Sequence, residues 1–315
     1  MKKLIAMILA LAMCASLAAC AGTQAGEQND GAAAADFTVG ICQLMVHDAL
    51  DQATKGFKDA LNEELTSYGK TVSYDTQIAG EANLCATVVN ALTAKNVDLI
   101  MANATPALLA AANATTKIPV LGTSVTDYGD TFEGQIPENV SGTSDAVPFD
   151  EQAQMMIDTL NLDENSKVGV LYCINESNSL IQYEEVKALF ESAGIAVEAY
   201  TFSEVTELQA LVTAMASECD AVYIPSDNTV AQNDSIVGTI CTEANVPVFT
   251  SYGGSICYAS LAINYYDLGI ETGRMAAKIL LGEMDISEFE IMTLVPTVTY
   301  NKELCETLGI AVPEN

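Results

Sequence analysis

The polar chemistry of this chain gathers in two short loops that are spelled alike. Val97-Asp98-Leu99-Ile100 leads to Asn103-Ala104-Thr105-Pro106, a helical stretch, and then Ile118-Pro119-Val120-Leu121-Gly122-Thr123-Ser124. Later, Cys219-Asp220-Ala221-Val222 leads to Ser226-Asp227-Asn228-Thr229, a helical stretch, and then Val246-Pro247-Val248-Phe249-Thr250-Ser251. In the first loop Thr105 precedes Pro106, the pattern of a helix cap followed by proline at the first helical position. The free N–H groups of such a helix start favour an anion. Thr123 and Ser124 end the next strand and offer hydroxyls beside it. In the second loop Asp227 opens the matching helix and supplies a carboxylate for a cation, with Asn228 and Thr229 as further hydrogen-bonding groups. Helix capping alone also accounts for Thr105 and for Asp227.

The elements that must position these loops follow from hydrophobic periodicity. Each copy reads as buried strand, polar loop, helix, strand begun by proline, and hydroxyl-rich loop. An α/β unit repeated at long range predicts two similar lobes; the plainer alternative is that βα units converge on Asp-apolar-apolar strands. Strands are expected at 37–44, 72–78, 97–101 and 119–123, with helices at 48–67, 82–94 and 106–113 between them. Residues 126–147 carry Gly, Pro, Asn and Ser and read as a crossing between lobes. A second series follows, with strands at 168–173, 196–202, 221–224, 247–250 and 258–263. Its helices are expected at 150–160, 179–192, 204–216 and 229–243. A helix at 267–281, a strand at 291–300 and a short helix ending at Gly309 complete the chain. Alternation of β and α at short spacing means a parallel sheet in each lobe. In open parallel sheets ligands sit beyond the carboxyl ends of the strands. Both polar loops fall there, so the lobes would clamp something small between 103–105 and 226–229.

Other candidates lie at equivalent places. Gln43 and His47 follow the first strand, and Asn103 ends the third. Asn178 and Ser179 stand between strand 168–173 and its helix, where Glu176 rivals Asp227 as a carboxylate. Asp145 falls in the crossing segment and Tyr252 follows the repeat's last strand. Asp267 follows a second crossing, where capping of helix 267–281 is the alternative role. The stripe Leu268, Thr272, Met275, Ile279 is core. Catalytic motifs are missing. There is one histidine, so no histidine cluster for a metal forms, and no GxSxG, Walker A, HExxH or GxGxxG occurs. No cofactor is implied, and an enzyme would have to work through carboxylates alone.

Lys2 and Lys3 precede an apolar run from Leu4 to Ala19, short for a membrane span and right for a signal core. The run ends Leu17-Ala18-Ala19-Cys20, which resembles a bacterial lipobox and implies cleavage before Cys20 and lipid on its sulfur. Residues 20–35 lack any strand or amphipathic pattern and read as a flexible tether. The formal charge of −30 repels nucleic acid and anionic lipid head groups, so neither is expected as a partner and the membrane is met through the lipid only. Of nine cysteines, Cys14 and Cys20 lie in the leader and at the lipid site. The rest form an odd set with no CxxC and no zinc spacing. Cys42, Cys173 and Cys219 sit in apolar strand patterns as small hydrophobes.

Several runs together resemble one family. Gly40-Ile41-Cys42-Gln43-Leu44 with His47-Asp48-Ala49-Leu50-Asp51 is similar to the opening of the substrate-binding proteins of tryptophan/tyrosine-type ABC transporters. So are the Asn-Ala-Thr loop at 103–105, Gly-Thr-Ser-Val-Thr-Asp at 122–127, Ser-Gly-Thr-Ser-Asp at 141–145, Pro-Ser-Asp-Asn-Thr at 225–229 and Tyr-Tyr-Asp-Leu-Gly at 265–269. The resemblance implies an α/β fold of two Rossmann-like lobes with parallel sheets and a three-crossing hinge, the first type of periplasmic-binding-protein fold. The lobes are expected at 36–145 with 262–290 and at 146–261 with 291–315. It implies a monomeric, lipid-anchored receptor on the extracytoplasmic face of the bacterial cell membrane. That receptor would capture a small solute, often an aromatic amino acid, for ABC permease subunits. A receptor for a sensor kinase or chemoreceptor, and a surface hydrolase, are the alternatives. A free amino acid needs N–H and O–H donors for its carboxylate and a carboxylate for its ammonium. On that basis Thr105 is expected to meet the first and Asp227 the second. With no tryptophan in the chain, a stacking partner must be Tyr, Phe or His.

Overall fold

The computed structural model describes residues 34–313; the leader, the lipobox with Cys20 and nearly all of the tether lie outside them. The first series of elements runs β1 (Phe37–Gln43), α1 (Asp48–Ser67), β2 (Val72–Ile78), a 3-10 turn at Ala82–Leu84, α2 (Cys85–Ala94), β3 (Leu99–Asn103), α3 (Thr105–Ala114), β4 (Val120–Val125), α4 (Tyr128–Thr131) and β5 (Val140–Ser144). The second runs α5 (Phe149–Leu160), β6 (Lys167–Cys173), α6 (Ser177–Ser192), β7 (Ala196–Phe202), α7 (Val205–Glu218), β8 (Ala221–Ile224), α8 (Asn228–Gln232), α9 (Asp234–Glu243), β9 (Val248–Thr250) and β10 (Ala259–Ala262). The chain then returns through α10 (Tyr265–Leu280) and β11 (Met292–Thr293) and closes with β12 (Thr297–Tyr300) and α11 (Lys302–Leu308).

Two sheets result, in the orders β11-β5-β4-β3-β1-β2 and β12-β10-β9-β8-β6-β7. Every pairing is parallel except that of β10 with β12. β3 and β4 are buried along their whole length, as befits strands covered on both faces. The chain passes between sheets after β5, after β10 and after β11, which makes a hinge of three crossings. α10 lies on α1 and ties the returning segment to the first lobe. Glycine permits that approach: a methyl added to Gly269 would run into the Ala53 carbonyl, and one on Gly56 into that of Tyr266. The stripe Leu268, Thr272, Met275 on α10 is fully buried and Ile279 packs beside it.

The structure corrects the expected outline in three places. Residues 126–147 are not all crossing: Val140–Ser144 is an interior strand of the first sheet. Its Ser-Gly-Thr-Ser sequence hid it, because burial comes from neighbours above and below and not from its own hydropathy. Helix 229–243 is broken at Asn233, whose backbone leaves the helical range. The strand expected at 291–300 is two strands in two sheets, so the last crossing falls after Thr293, inside the segment assigned to the second lobe. Among the described residues the seven cysteines are free and buried, and no helix is long and apolar enough to cross a membrane.

Candidate functional site

The carboxyl ends of both sheets face a common cleft. On the first lobe a buried network seats α1 against the ends of β1 and β3. Gln43 donates to the Met45 carbonyl at 2.8 Å and to Asp51 at 2.6 Å, and accepts from Thr54 at 2.6 Å. Asn103 donates to the Leu50 carbonyl at 2.8 Å and to Thr54 at 3.0 Å. These two residues therefore hold the helix whose first turn carries His47 and Ala49 to the cleft. Thr123 serves a similar internal role, accepting from Thr143 at 3.1 Å.

Next to them the backbone leaves its comfortable range. Ala104 has φ 89 and ψ 155, and Ser124 has φ 54. Neither is glycine, and the Ala104 geometry is one that glycine alone adopts readily, at a cost of about 1–3 kcal/mol. The two are neighbours, since the Ala104 N–H donates to the Thr123 carbonyl at 3.0 Å. Ala104, not Thr105, is the cap of α3; Thr105 is its first helical residue and Pro106 follows it. The turn at Ala104 replaces the side-chain cap that Thr105 was expected to supply.

Across the cleft, Asp227 caps α8 and its carboxylate is already engaged. It accepts from Val230 N at 2.8 Å, Cys173 N at 2.8 Å and Ser179 Oγ at 2.8 Å. Burial and the nearby Glu176 carboxylate push its pKa well above the ordinary carboxylate value, against the pull of those three donors. Glu176 is engaged likewise, by Asn228 N and Nδ2 and by Thr229 N and Oγ1, all at 2.7–2.9 Å. Asn178 donates to the Ser226 carbonyl at 2.7 Å. Both carboxylates of the second lobe are thus satisfied within it, while Asn178 Oδ1 is buried without a partner.

Between these walls lies an inner pocket that His47, Ser124, Asp145, Asp227, Asn228 and Tyr252 line together with Ser226 and Tyr265. Three buried polar atoms on its lining have no partner in the protein: Ser124 Oγ, Asp145 Oδ1 and the Tyr252 hydroxyl. Buried polar atoms are almost always paired; Asn103 Oδ1, Asn178 Oδ1 and the Tyr258 hydroxyl are likewise unpartnered but line neither this pocket nor the outer one. Asp145 Oδ2 accepts from the Tyr265 hydroxyl at 2.8 Å, which leaves Oδ1 as the free acceptor. Burial raises the pKa of Asp145, against the pull of that hydroxyl, of the nearby Thr126 hydroxyl and of its own backbone N–H. The inner pocket is closed down to about 10 Å³, room for about one water. It shares His47, Ala49, Ala231, Tyr252 and Tyr265 with an outer pocket of about 720 Å³. Asp145 lines the inner pocket and not the outer one.

The remaining candidates stand apart. Asp267 is exposed in the first turn of α10, whose cap is Asn264, and it lines neither pocket. Gln43, Asn103, Thr105, Thr123, Asn178, Ser179 and Thr229 line neither of the two either. Tyr265 escaped notice although its run Tyr-Tyr-Asp-Leu-Gly was singled out. The usable signal was its place as first helical residue after a crossing, with a phenol long enough to reach the hinge. Among the described residues no group of His, Cys, Asp and Glu is arranged to hold a metal ion.

Residues 38–315 match the family described as ABC transporter substrate binding protein. The chain is 29% identical over 303 residues to a tyrosine-binding protein of Clostridioides difficile, across 90% of this chain and 87% of that one. A Streptococcus pneumonia ABC domain in complex with L-Trp is 31% identical, with a TM-score of 0.81 over 88% of this chain and 96% of that one. A ligand-free, open substrate-binding protein from Clostridium difficile is 32% identical, with a TM-score of 0.66 over 89% and 97%. Similar identity with a lower score against the open form agrees with lobes that touch here, as His47 Nε2 and Asn228 Oδ1 do at 3.1 Å. Together with two parallel-sheet lobes and a polar cleft between them, this places the chain in the ABC transporter substrate-binding protein family, whose members bind solutes and are not enzymes.

Proposed function

We propose that this protein captures a free amino acid, aromatic by preference, in the interlobe cleft and presents it to ABC permease subunits. The observation that carries the reading is the unpartnered Asp145 Oδ1, buried in the inner pocket. A carboxylate so placed favours a cation that can enter and bind, and an α-ammonium meets it with a charge-assisted hydrogen bond. The role first expected of Asp227 passes to Asp145, because Asp227 is held by three protein donors. Ser124 Oγ supplies a donor for the α-carboxylate. Tyr252 and Tyr265 offer aromatic faces and hydroxyls to the side chain. Relatives described as tyrosine-binding and as a complex with L-Trp support an aromatic solute.

The leader and Cys20 support a lipid-anchored receptor on the extracytoplasmic face of the membrane. Thermal unfolding against a panel of amino acids tests the solute: a ligand that binds only the native state must raise the midpoint. L-tryptophan or L-tyrosine is expected to give the largest rise, and a flat panel would rule out the amino-acid reading. Cys20→Ala tests the anchor: processed protein that remains on the membrane would rule it out.

A further inference from the structure

Neither pocket of the cleft is lined by a lysine or an arginine, whereas Asp145 and Asp227 line the inner one and Asp48 and Asp234 the outer one. Lys55 stands over the ring of Tyr266, an outer-pocket residue, but it is exposed and paired with Asp59 at 2.6 Å. Backbone donors are engaged as well. At the start of α8, Asn228 N and Thr229 N donate to Glu176, and Val230 N donates to Asp227. The start of α1 reaches the inner pocket at Ala49 and Leu50, and its first turn carries Asp48 and Asp51, which offset the positive end of the helix. An α-carboxylate in this cleft therefore has hydroxyls to meet and no charge partner.

An ammonium is better served. It has three N–H groups and accepts nothing. The inner pocket offers three unpartnered oxygens, Asp145 Oδ1, Ser124 Oγ and the Tyr252 hydroxyl, and a hydroxyl that can donate to a carboxylate can equally turn and accept. A zwitterion divides the two hydroxyls between its charges; a plain amine leaves all three oxygens to the ammonium. Space divides in the same way. The inner pocket, at about 10 Å³, has room for one small head group. The outer pocket, at about 720 Å³, has room for a ring, and Tyr252 and Tyr265 line both. We propose that the cleft also takes primary aromatic amines, the decarboxylated counterparts of aromatic amino acids, with the ammonium on Asp145 and the ring toward the outer pocket. This rests on the reading above that the inner pocket is the solute site, and it makes the α-carboxylate dispensable. The formal charge of −30 draws a cation and not an anion toward the protein.

Calorimetric titration of the wild-type protein at neutral pH tests this with five probes: L-tyrosine, tyramine, L-tryptophan, tryptamine and hydroxyphenylpropionate, which keeps the carboxylate and lacks the amine. The better of the two amines is expected to bind within about tenfold of its parent amino acid or more tightly, and hydroxyphenylpropionate is expected to give no binding. Asp145→Asn should weaken the amine by roughly thirtyfold or more, and Tyr252→Phe, which keeps the ring and removes one acceptor, by severalfold. Both amines falling more than about tenfold below their parents, hydroxyphenylpropionate binding as tightly as tyramine, or an Asp145→Asn protein that holds tyramine as wild type does, overturns the proposal. Amino acids that bind while the amines do not leave the solute reading standing and remove this one. Amines that bind while the amino acids do not leave this one standing and remove the amino acid from the solute reading.

Discussion

Asp145 and Asp227 are both carboxylates buried at the same cleft, yet their surroundings differ in kind. Asp227 receives donors from a strand end, a helix start and a serine of its own lobe. Asp145, at the first crossing, receives one phenol on Oδ2 and nothing on Oδ1. One is a strut of the second lobe and the other is a half-finished site. The neighbouring backbones repeat the contrast. The first lobe carries Ala104 and Ser124 at positive φ, while the second-lobe loop at Asp227 is extended and capped by its own side chain. A buried acid therefore points to a ligand only when its oxygens are not already satisfied, and the proposed site takes its unsatisfied acid and its strained backbone from the same side of the cleft.

The comparison breaks most readily at Asp145. Asp145→Asn should weaken amino-acid binding by about 2–5 kcal/mol, roughly thirtyfold or more, because the ammonium loses its charge partner. The same change should raise the melting temperature of the solute-free protein, since a desolvated, half-paired charge has been removed. Calorimetric titration and thermal unfolding of one variant check both. Near-wild-type affinity would return the ammonium to Asp227.

Asp227→Asn should show the opposite pattern. Its amide nitrogen would face the Cys173 N–H, and hydrogen bonds to a charged acceptor are worth about 1.5–3 kcal/mol each. Urea unfolding is expected to show a loss of about 2 kcal/mol with affinity changed far less. A stable variant that no longer binds would make Asp227 the ligand carboxylate after all.

Burial pushes both acids above the ordinary carboxylate value, with the Glu176 carboxylate adding to the rise at Asp227. Burial raises the native pKa of Asp145 above its unfolded value, so the native protein takes up that proton more readily than the unfolded chain. Its cost to solute-free stability is therefore present at neutral pH and relieved as pH falls through the raised value. Binding at Asp145 follows the reverse course and weakens over the same window. Melting curves of wild type and Asp145→Asn should accordingly converge toward acid, and parallel curves would deny the shift.

Smaller changes probe the strained backbone. Ala104→Gly should stabilise the solute-free protein by about 1 kcal/mol if the relief of φ exceeds the added freedom of the unfolded chain. Ser124→Ala should cost binding about 0.5–1.5 kcal/mol, one hydrogen bond to the solute, and leave urea stability unchanged because its hydroxyl has no protein partner.

The fold was legible because its determinants are local. Strand periods marked β1, β2, β7 and β8 closely, the recurrent Pro-Val sequence marked β4 and β9, and α1 runs over Asp48–Ser67 as its apolar spacing predicted. β5 was not legible, because a Ser-Gly-Thr-Ser strand has no hydropathy of its own and is buried by what lies beside it. The place of the cleft was legible too: polar loops at the carboxyl ends of parallel strands, where His47, Asp145 and Tyr252 line one pocket. The sequence alone determined two lobes, a polar cleft between them and the residue types able to grip a small solute there. Which carboxylate stays free was decided only in three dimensions. Ser179 and Cys173 reach Asp227 from other segments, and Tyr265 reaches Asp145 across 120 residues of chain. Satisfaction of a buried polar atom depends on every neighbour that folding brings to it, and no spacing along the chain records those neighbours.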